Sequence, residues 1–201
     1  MEKPFLTFFK RIWNRIRRLF RKAGRPGQQK LVVPNDLFFV WVLSHLDKEP
    51  AIPVKGFSML PFIRGGKDLV VLEPVRDDWR VDDIVLFHVG PAEGGRYIMH
   101  RILRIDGDEV EIMGDGVLNT VEHVTRNCLL ARARCILRNG AKKVDTFNYR
   151  TLPRGVRAVD PYSPDELRKV HLWQRIRPVR RYLLFLYRHL PWNRNWLKEN
   201  Y

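Results

Sequence analysis

Ser58 lies in the stretch VKGFSMLPF, between bulky apolar residues and between a glycine and a proline. A serine hydroxyl can attack a carbonyl only if a base removes its proton, because free serine is hardly ionised near neutral pH. The other interpretation is a turn serine whose hydroxyl binds its own backbone. The stretch therefore raises acyl transfer as one of two hypotheses for this position.

His100 is the candidate base. In RYIMHRILRI, strand alternation places its ring on the same face as the two nearest isoleucines. Such an imidazole is either a core histidine with a satisfied hydrogen bond or a base kept neutral in a partly dry site. Lys55 and Lys67 are closer to Ser58 in sequence, but both stand beside turn glycines and are predicted to be solvated.

Short apolar runs separated by turn residues predict that strands position these two groups. A helix is expected in VPNDLFFVWVLSHLDKE, and the glycine pair at 94–95 and DGD at 106–108 predict hairpins. The 201 residues suit one domain of moderate size with appendages. The fold is therefore predicted to be mainly β. The strand runs are AIPVKG, DLVVLEP, DIVLFHV, RYIMHRILRI, EVEIMG and LLARARCIL.

The net charge of +15 is concentrated at the two ends of the chain. Residues 1–30 hold ten Lys or Arg and one acid, whereas residues 151–201 hold eleven and four. The middle is nearly neutral, with sixteen basic and seventeen acidic residues in 31–150. We therefore expect a functional domain over 31–145, a basic amphipathic segment and linker over 1–30, and a Pro-rich linker with a basic helical tail over 146–201.

Both ends have the composition of helices that lie at an anionic membrane surface. PFLTFFKRIWNRIRRLFRK places aromatic and aliphatic residues at helical spacing, with arginines and lysines largely outside that stripe. No window has the about 20 mostly apolar residues needed to span a bilayer, and the start has no secretory signal pattern. The tail offers interfacial aromatic candidates: Trp173, Tyr182, Tyr187, Trp192 and Trp196.

The expected location is therefore cytoplasmic and peripheral, at the inner face of the cell membrane. Two alternatives stay open: these helices pack on the core or on each other, or they bind nucleic acid, which is the less favoured partner. Oligomeric state cannot be read from the sequence.

No metal or cofactor is expected. His88, His100 and His123 lack the close spacing of a zinc site, and no HExxH motif occurs. IRGGK contains only part of a phosphate-binding pattern. Cys128 and Cys135 are predicted to be free thiols, since two cysteines support no disulfide framework.

Three ordered motifs resemble those of a known family. KGFSMLPFIRGGKDLVVL, VDDIVLFHV and YIMHRILRIDGDEVEIMGDG are together similar to the serine peptidases related to type I signal peptidases and self-cleaving repressor domains, over roughly residues 52–137. The resemblance implies a β domain of that type acting on a polypeptide substrate. It also implies that Ser58 is the nucleophile and His100 the general base, as in the His-type branch of the family.

Two acids could orient the ring of His100. Asp115, in MGDG, matches the Gly-Asp turn of the family, and Glu122 lies where the His-type enzymes have a later acid. Asp115 is favoured for positioning and Glu122 as a third catalytic member, with the choice between them left open. The structural alternatives are a turn residue for Asp115 and a surface carboxylate for Glu122.

Gly56 stands where bacterial signal peptidases have a serine that helps to bind the oxyanion. Main-chain N–H groups are therefore expected to bind the oxyanion here. Phe57, Met59 and Phe62 are expected to contribute to an apolar specificity pocket, or else to the core. A hypothesis from another class is a noncatalytic module that binds peptide or nucleic acid on the same fold.

Overall fold

The computed structural model describes residues 35–74, 78–91, 95–141 and 143–189. Within these ranges the protein is mainly β, with one antiparallel eight-stranded open sheet and a few short helices. Helix α1 spans Asn35–Leu43, α2 spans Pro164–Arg175 and α3 spans Arg177–His189, with 3-10 turns at Leu46–Lys48 and Arg126–Cys128. The strands are β1 Ala51–Pro53, β2 Leu69–Pro74, β3 Ile84–Val89, β4 Arg96–Asp106, β5 Glu109–Met113, β6 Glu122–Thr125, β7 Leu129–Arg138 and β8 Arg157–Val159.

The order of the strands brings distant parts of the sequence together. The order is β1-β2-β7-β3-β4-β5-β6, with β8 paired to β7, and every pair is antiparallel. Strand β7 therefore lies between β2 and β3, although it follows β6 in the chain. Ser58 follows β1 in the chain, and β4 itself carries His100.

Strand β4 lies between two parts of the hydrophobic core. Met99 packs in one cluster, where Phe39 of α1 also stacks on Tyr97 with ring centroids 4.3 Å apart. Ile102 packs in a second cluster on the other face, together with Phe87 of β3. This alternation of buried side chains confirms the predicted two-faced strand and places His100 on the Phe87 side.

The predicted strand runs correspond to β1 to β5 and β7, and the predicted DGD hairpin joins β4 to β5. The predicted helix is shorter than expected, because α1 ends at Leu43 and a 3-10 turn follows. Glu49 then adopts a left-handed backbone with φ 50°, which turns the chain into β1. The glycine hairpin at 94–95 lies partly outside the described residues.

Residues after 145 differ from the predicted linker. Strand β8 pairs with β7, and the hydroxyl of Tyr149 donates to the carbonyl of Glu49 at 2.7 Å. The hydroxyl of Tyr162 donates to the carbonyl of Ala133 at 2.6 Å and accepts from the N–H of Ile84 at 3.2 Å. Sheet pairing and partly buried hydrogen bonds therefore connect the residues on the two sides of the predicted division near residue 145.

The amphipathic segment predicted over 1–30 lies outside the described residues, as do Trp192 and Trp196 of the tail. Over the ranges that are described, no helix combines the length and the apolar character needed to cross a bilayer.

Candidate active site

Ser58 lies in the irregular segment that joins β1 to β2. Main-chain hydrogen bonds shape this segment, from the N–H of Leu60 to the carbonyl of Phe57 at 3.1 Å and from the N–H of Ile63 to the carbonyl of Met59 at 2.8 Å. Met59 and Leu60 are buried, so they anchor the segment in the core, while Ser58 between its apolar neighbours stays partly exposed. The apolar residues of the motif thus fix the backbone that presents the hydroxyl.

A glycine-rich turn after β5 holds this segment against β4. The N–H of Gly116 donates to the carbonyl of Ser58 at 2.7 Å, and the N–H of Val117 closes the turn on the carbonyl of Gly114 at 2.9 Å. A Cβ atom on Gly114 would lie 2.4 Å from the Ser58 carbonyl oxygen and 2.9 Å from Nε2 of His100. Both groups therefore lie against Gly114, which brings the main chain of Ser58 and the ring of His100 close together.

His100 is buried on β4 and hydrogen-bonded to an acid from the edge strand β6. Its Nδ1 lies 2.8 Å from Oε2 of Glu122, and only 6% of the residue is exposed. Burial lowers the pKa of His100 below its ordinary value, and the Glu122 carboxylate only partly offsets that effect. The ring is therefore neutral at pH 7, where a group with an unperturbed pKa of about 6.5 would already be mostly neutral.

The contact with Glu122 determines which nitrogen of the neutral ring is basic. A carboxylate can only accept, so the proton of the ring lies on Nδ1 and Nε2 has a free lone pair. Nε2 is the atom that faces Gly114. Among the described residues no hydrogen bond joins Nε2 to the Ser58 hydroxyl. Such bonds are often long in unliganded sites and shorten when substrate binds.

Asp115 binds a different partner from Glu122. Its two carboxylate oxygens accept from Nε and Nη2 of Arg101, each at 2.9 Å, and both side chains are almost fully buried. Burial alone would lower the pKa of Arg101, but the Asp115 carboxylate outweighs it and raises the pKa. Arg101 also donates to the carbonyl of Asp82 at 2.8 Å. Because Arg101 follows His100 on β4, the ion pair ties the histidine strand to the glycine-rich turn.

Helices α2 and α3 pack against the outside of this turn, as in the alternative that the tail helices pack on the core. The indole N–H of Trp173 donates to the main-chain carbonyl of Asp115 at 2.7 Å. Arg180, which is 1% exposed, donates to the carbonyl of Val117. The basic, aromatic composition of the tail had suggested a lipid surface for Trp173, whereas its polar atom binds the protein. The one available signal was the i, i+4 spacing of Arg180 and Leu184, which places both side chains on the same helix face.

The side chains expected to form a specificity pocket are all buried. Phe57 packs in a cluster with Leu184 of α3, Met59 lies in the main core, and the ring of Phe62 meets that of Trp173 edge-on at 6.5 Å. They are thus engaged in packing around the Ser58 segment. Gly56, at the expected oxyanion position, has a φ of 80°, a conformation that favours glycine.

Cys128 and Cys135 are both free thiols and both are partly buried. In the portion of the chain that the structure describes, no group of three or more potential ligands could hold a metal ion.

Comparisons with protein-family models, with curated proteins and with solved structures find no match to this chain. Its function is therefore inferred from the geometry of the site and from the likeness of its motifs.

Proposed function

We propose that this chain is a serine endopeptidase of the signal-peptidase and repressor-cleavage type, with Ser58 as nucleophile and His100 as general base. The observation that carries the proposal is the environment of the His100 ring. One nitrogen is held by Glu122, and the other faces the glycine against which the Ser58 main chain packs. A buried neutral imidazole oriented by a carboxylate is the usual arrangement for activating a serine hydroxyl.

In the proposed reaction, Nε2 of His100 takes the proton of the Ser58 hydroxyl as the oxygen bonds to the peptide carbonyl carbon. The carbonyl π electrons move to its oxygen, then return as the C–N bond breaks and His100 gives the proton to the departing amine. Water attacks the resulting ester, giving one proton to His100, which returns it to Ser58. Glu122 stabilises the imidazolium that forms twice in this cycle.

The oxyanion would be bound by main-chain donors. The N–H of Ser58 donates no hydrogen bond within the described residues, so it is available for a substrate oxygen. The Ser58 carbonyl, in contrast, is occupied by Gly116. This hydrogen bond fixes the peptide unit that follows Ser58. The local backbone is therefore oriented by main-chain groups alone.

The test is labelling by a fluorophosphonate probe, which reacts with activated serines and needs no known substrate. Wild type should be labelled at Ser58, and Ser58→Ala should lose labelling while its thermal unfolding is unchanged. Ser44→Ala is a matched control, because Ser44 is exposed and its hydroxyl binds only nearby groups of its own helix end. If Ser58→Ala is labelled as strongly as wild type, or if folded wild type is not labelled at all, the proposed function is wrong.

A further inference from the structure

Helix α3 exposes more apolar side chains than a helix at the surface of a water-soluble domain usually does. The side that faces the protein carries Arg180 as well as Leu184, and both are buried. The side that faces outward carries Val179, Tyr182 and Leu186, which are 50%, 67% and 57% exposed. In an ordinary surface helix the apolar stripe faces the core and the charged side faces water.

The exposed apolar surface is concentrated on the two helices α2 and α3. Nine large hydrophobic residues are exposed among the residues that the structure describes, and six of them lie on α2 and α3. Single exposed apolar residues are ordinary, but a contiguous group marks a surface that contacts another apolar phase. The six are Leu172, Val179, Tyr182, Leu183, Phe185 and Leu186.

The charges around this surface are positive. The sequence of α3 contains four arginines and no acid, and α2 ends in Arg175. Glu166 in the first turn of α2 pairs with Lys169 of its own helix. The exposed part of α3 therefore combines apolar side chains with a tyrosine and the cationic Arg181, as in helices that lie at the headgroup level of an anionic bilayer.

We propose that the outward face of α3, defined by Val179, Tyr182, Leu183 and Leu186, docks on the surface of an anionic lipid bilayer. The helix lies parallel to the membrane, with its apolar side chains among the upper acyl chains. Arg181, which is exposed on the same helix, meets lipid phosphates. A second copy of the chain fits less well, because a two-fold contact would pair two basic helices that contain no acid.

The proposal goes beyond the peptidase function and does not depend on it. The two meet at α3, since the buried side of this helix packs on Phe57, next to Ser58. A docked α3 would therefore hold the candidate active site close to the lipid surface. Lipid binding is measured separately from serine labelling, so the failure of one leaves the other standing.

The test is flotation of the full chain with vesicles made from equal parts of phosphatidylcholine and phosphatidylglycerol, compared with phosphatidylcholine alone. Wild type should float with the anionic vesicles. The double variant Tyr182→Ser, Leu186→Ser should reduce the partition coefficient about tenfold, because it removes two side chains that would leave water on docking. Val81→Ser is the matched control and should bind like wild type, since Val81 is 53% exposed but lies outside the helical pair.

Arg181→Glu should also weaken binding to the anionic vesicles, and raised salt should weaken wild-type binding. Thermal unfolding of each variant shows that the fold is retained. Unchanged flotation of the double variant would overturn the proposal, because binding would then come from another part of the chain. The proposal would also be overturned if the double variant differed from wild type in molar mass in solution but not in flotation. That result would show that the face binds a second copy of the chain.

Discussion

Replacing Glu122 tests whether His100 is a catalytic base or only a buried structural residue. In the structure the carboxylate accepts from Nδ1 of His100 at 2.8 Å, which leaves Nε2 as the basic nitrogen. Glu122→Gln keeps the size of the side chain but adds an amide NH₂ group. That group can donate to Nδ1 and so favour the tautomer with its proton on Nε2, which cannot accept the proton of Ser58. Glu122→Ala removes the contact without imposing this tautomer.

The expected loss follows from the strength of the contact. A hydrogen bond to a charged group contributes about 1.5–3 kcal/mol, and a tenfold rate change corresponds to about 1.4 kcal/mol, so the loss is about 10- to 150-fold. The side chain of Glu122 is 28% exposed, so water can partly replace the carboxylate in Glu122→Ala. We therefore expect Glu122→Ala near the lower end of this range and Glu122→Gln near the upper end.

The pH dependence gives a second measure that a structural role would not change. Burial lowers the pKa of His100, and Glu122 partly offsets this by favouring the imidazolium. Removing the carboxylate should therefore lower the pKa further. Because only the neutral ring can act as base, the rise of activity with pH should move to lower pH in both variants.

The assay is the second-order rate constant for fluorophosphonate labelling of Ser58, measured for wild type and both variants from mildly acidic to neutral pH. Equal rates for all three proteins, with the acidic limb unmoved, would refute the assigned role of Glu122. If Glu122→Ala is labelled more slowly than Glu122→Gln, only the tautomer argument is refuted. The size of the side chain, rather than the position of the ring proton, would then decide the rate.

Two further predictions concern the groups that hold the site together. Arg101→Met leaves Asp115 buried without its partner and should cost about 3–5 kcal/mol of unfolding free energy in urea. The double variant Arg101→Met, Asp115→Leu should recover much of it, and a single variant as stable as wild type would contradict the pairing. Gly114→Ala should abolish labelling, because its methyl group would clash with the Ser58 carbonyl. Gly107→Asn, at φ 56° with open space around it, is the control that should stay active; an active Gly114→Ala would disprove the close approach.

The regular strands of the site could be predicted from the sequence, because their apolar residues alternate strongly. In RYIMHRILRI this alternation correctly placed His100 on the same face as Ile98 and Ile102, where the structure puts it beside Phe87. The sequence did not show whether Asp115 or Glu122 orients the ring of His100. Asp115 is close in sequence to β4, but the bidentate geometry that commits it to Arg101 depends on how the turn folds back.

Elements with few apolar residues were missed for a physical reason. Strand β6, with the sequence EHVT, has one aliphatic residue and takes its conformation from pairing with β5. It nevertheless carries Glu122. Strand β8 has three residues within a Pro-rich stretch and pairs with β7, which is distant in sequence. The composition of the tail predicted helices, but Trp173 and Arg180 bind main-chain carbonyls that no local pattern could identify.

Helices α2 and α3 follow the sheet in the chain, which sets the order in which the parts of this site can come together. Trp173 and Arg180 support the loop that carries Asp115 and Val117, and Leu184 covers Phe57. On the ribosome, the sheet would emerge first, with this loop still lacking its outer support. The segment around position 58 would thus gain this outer support only after α2 and α3 have emerged.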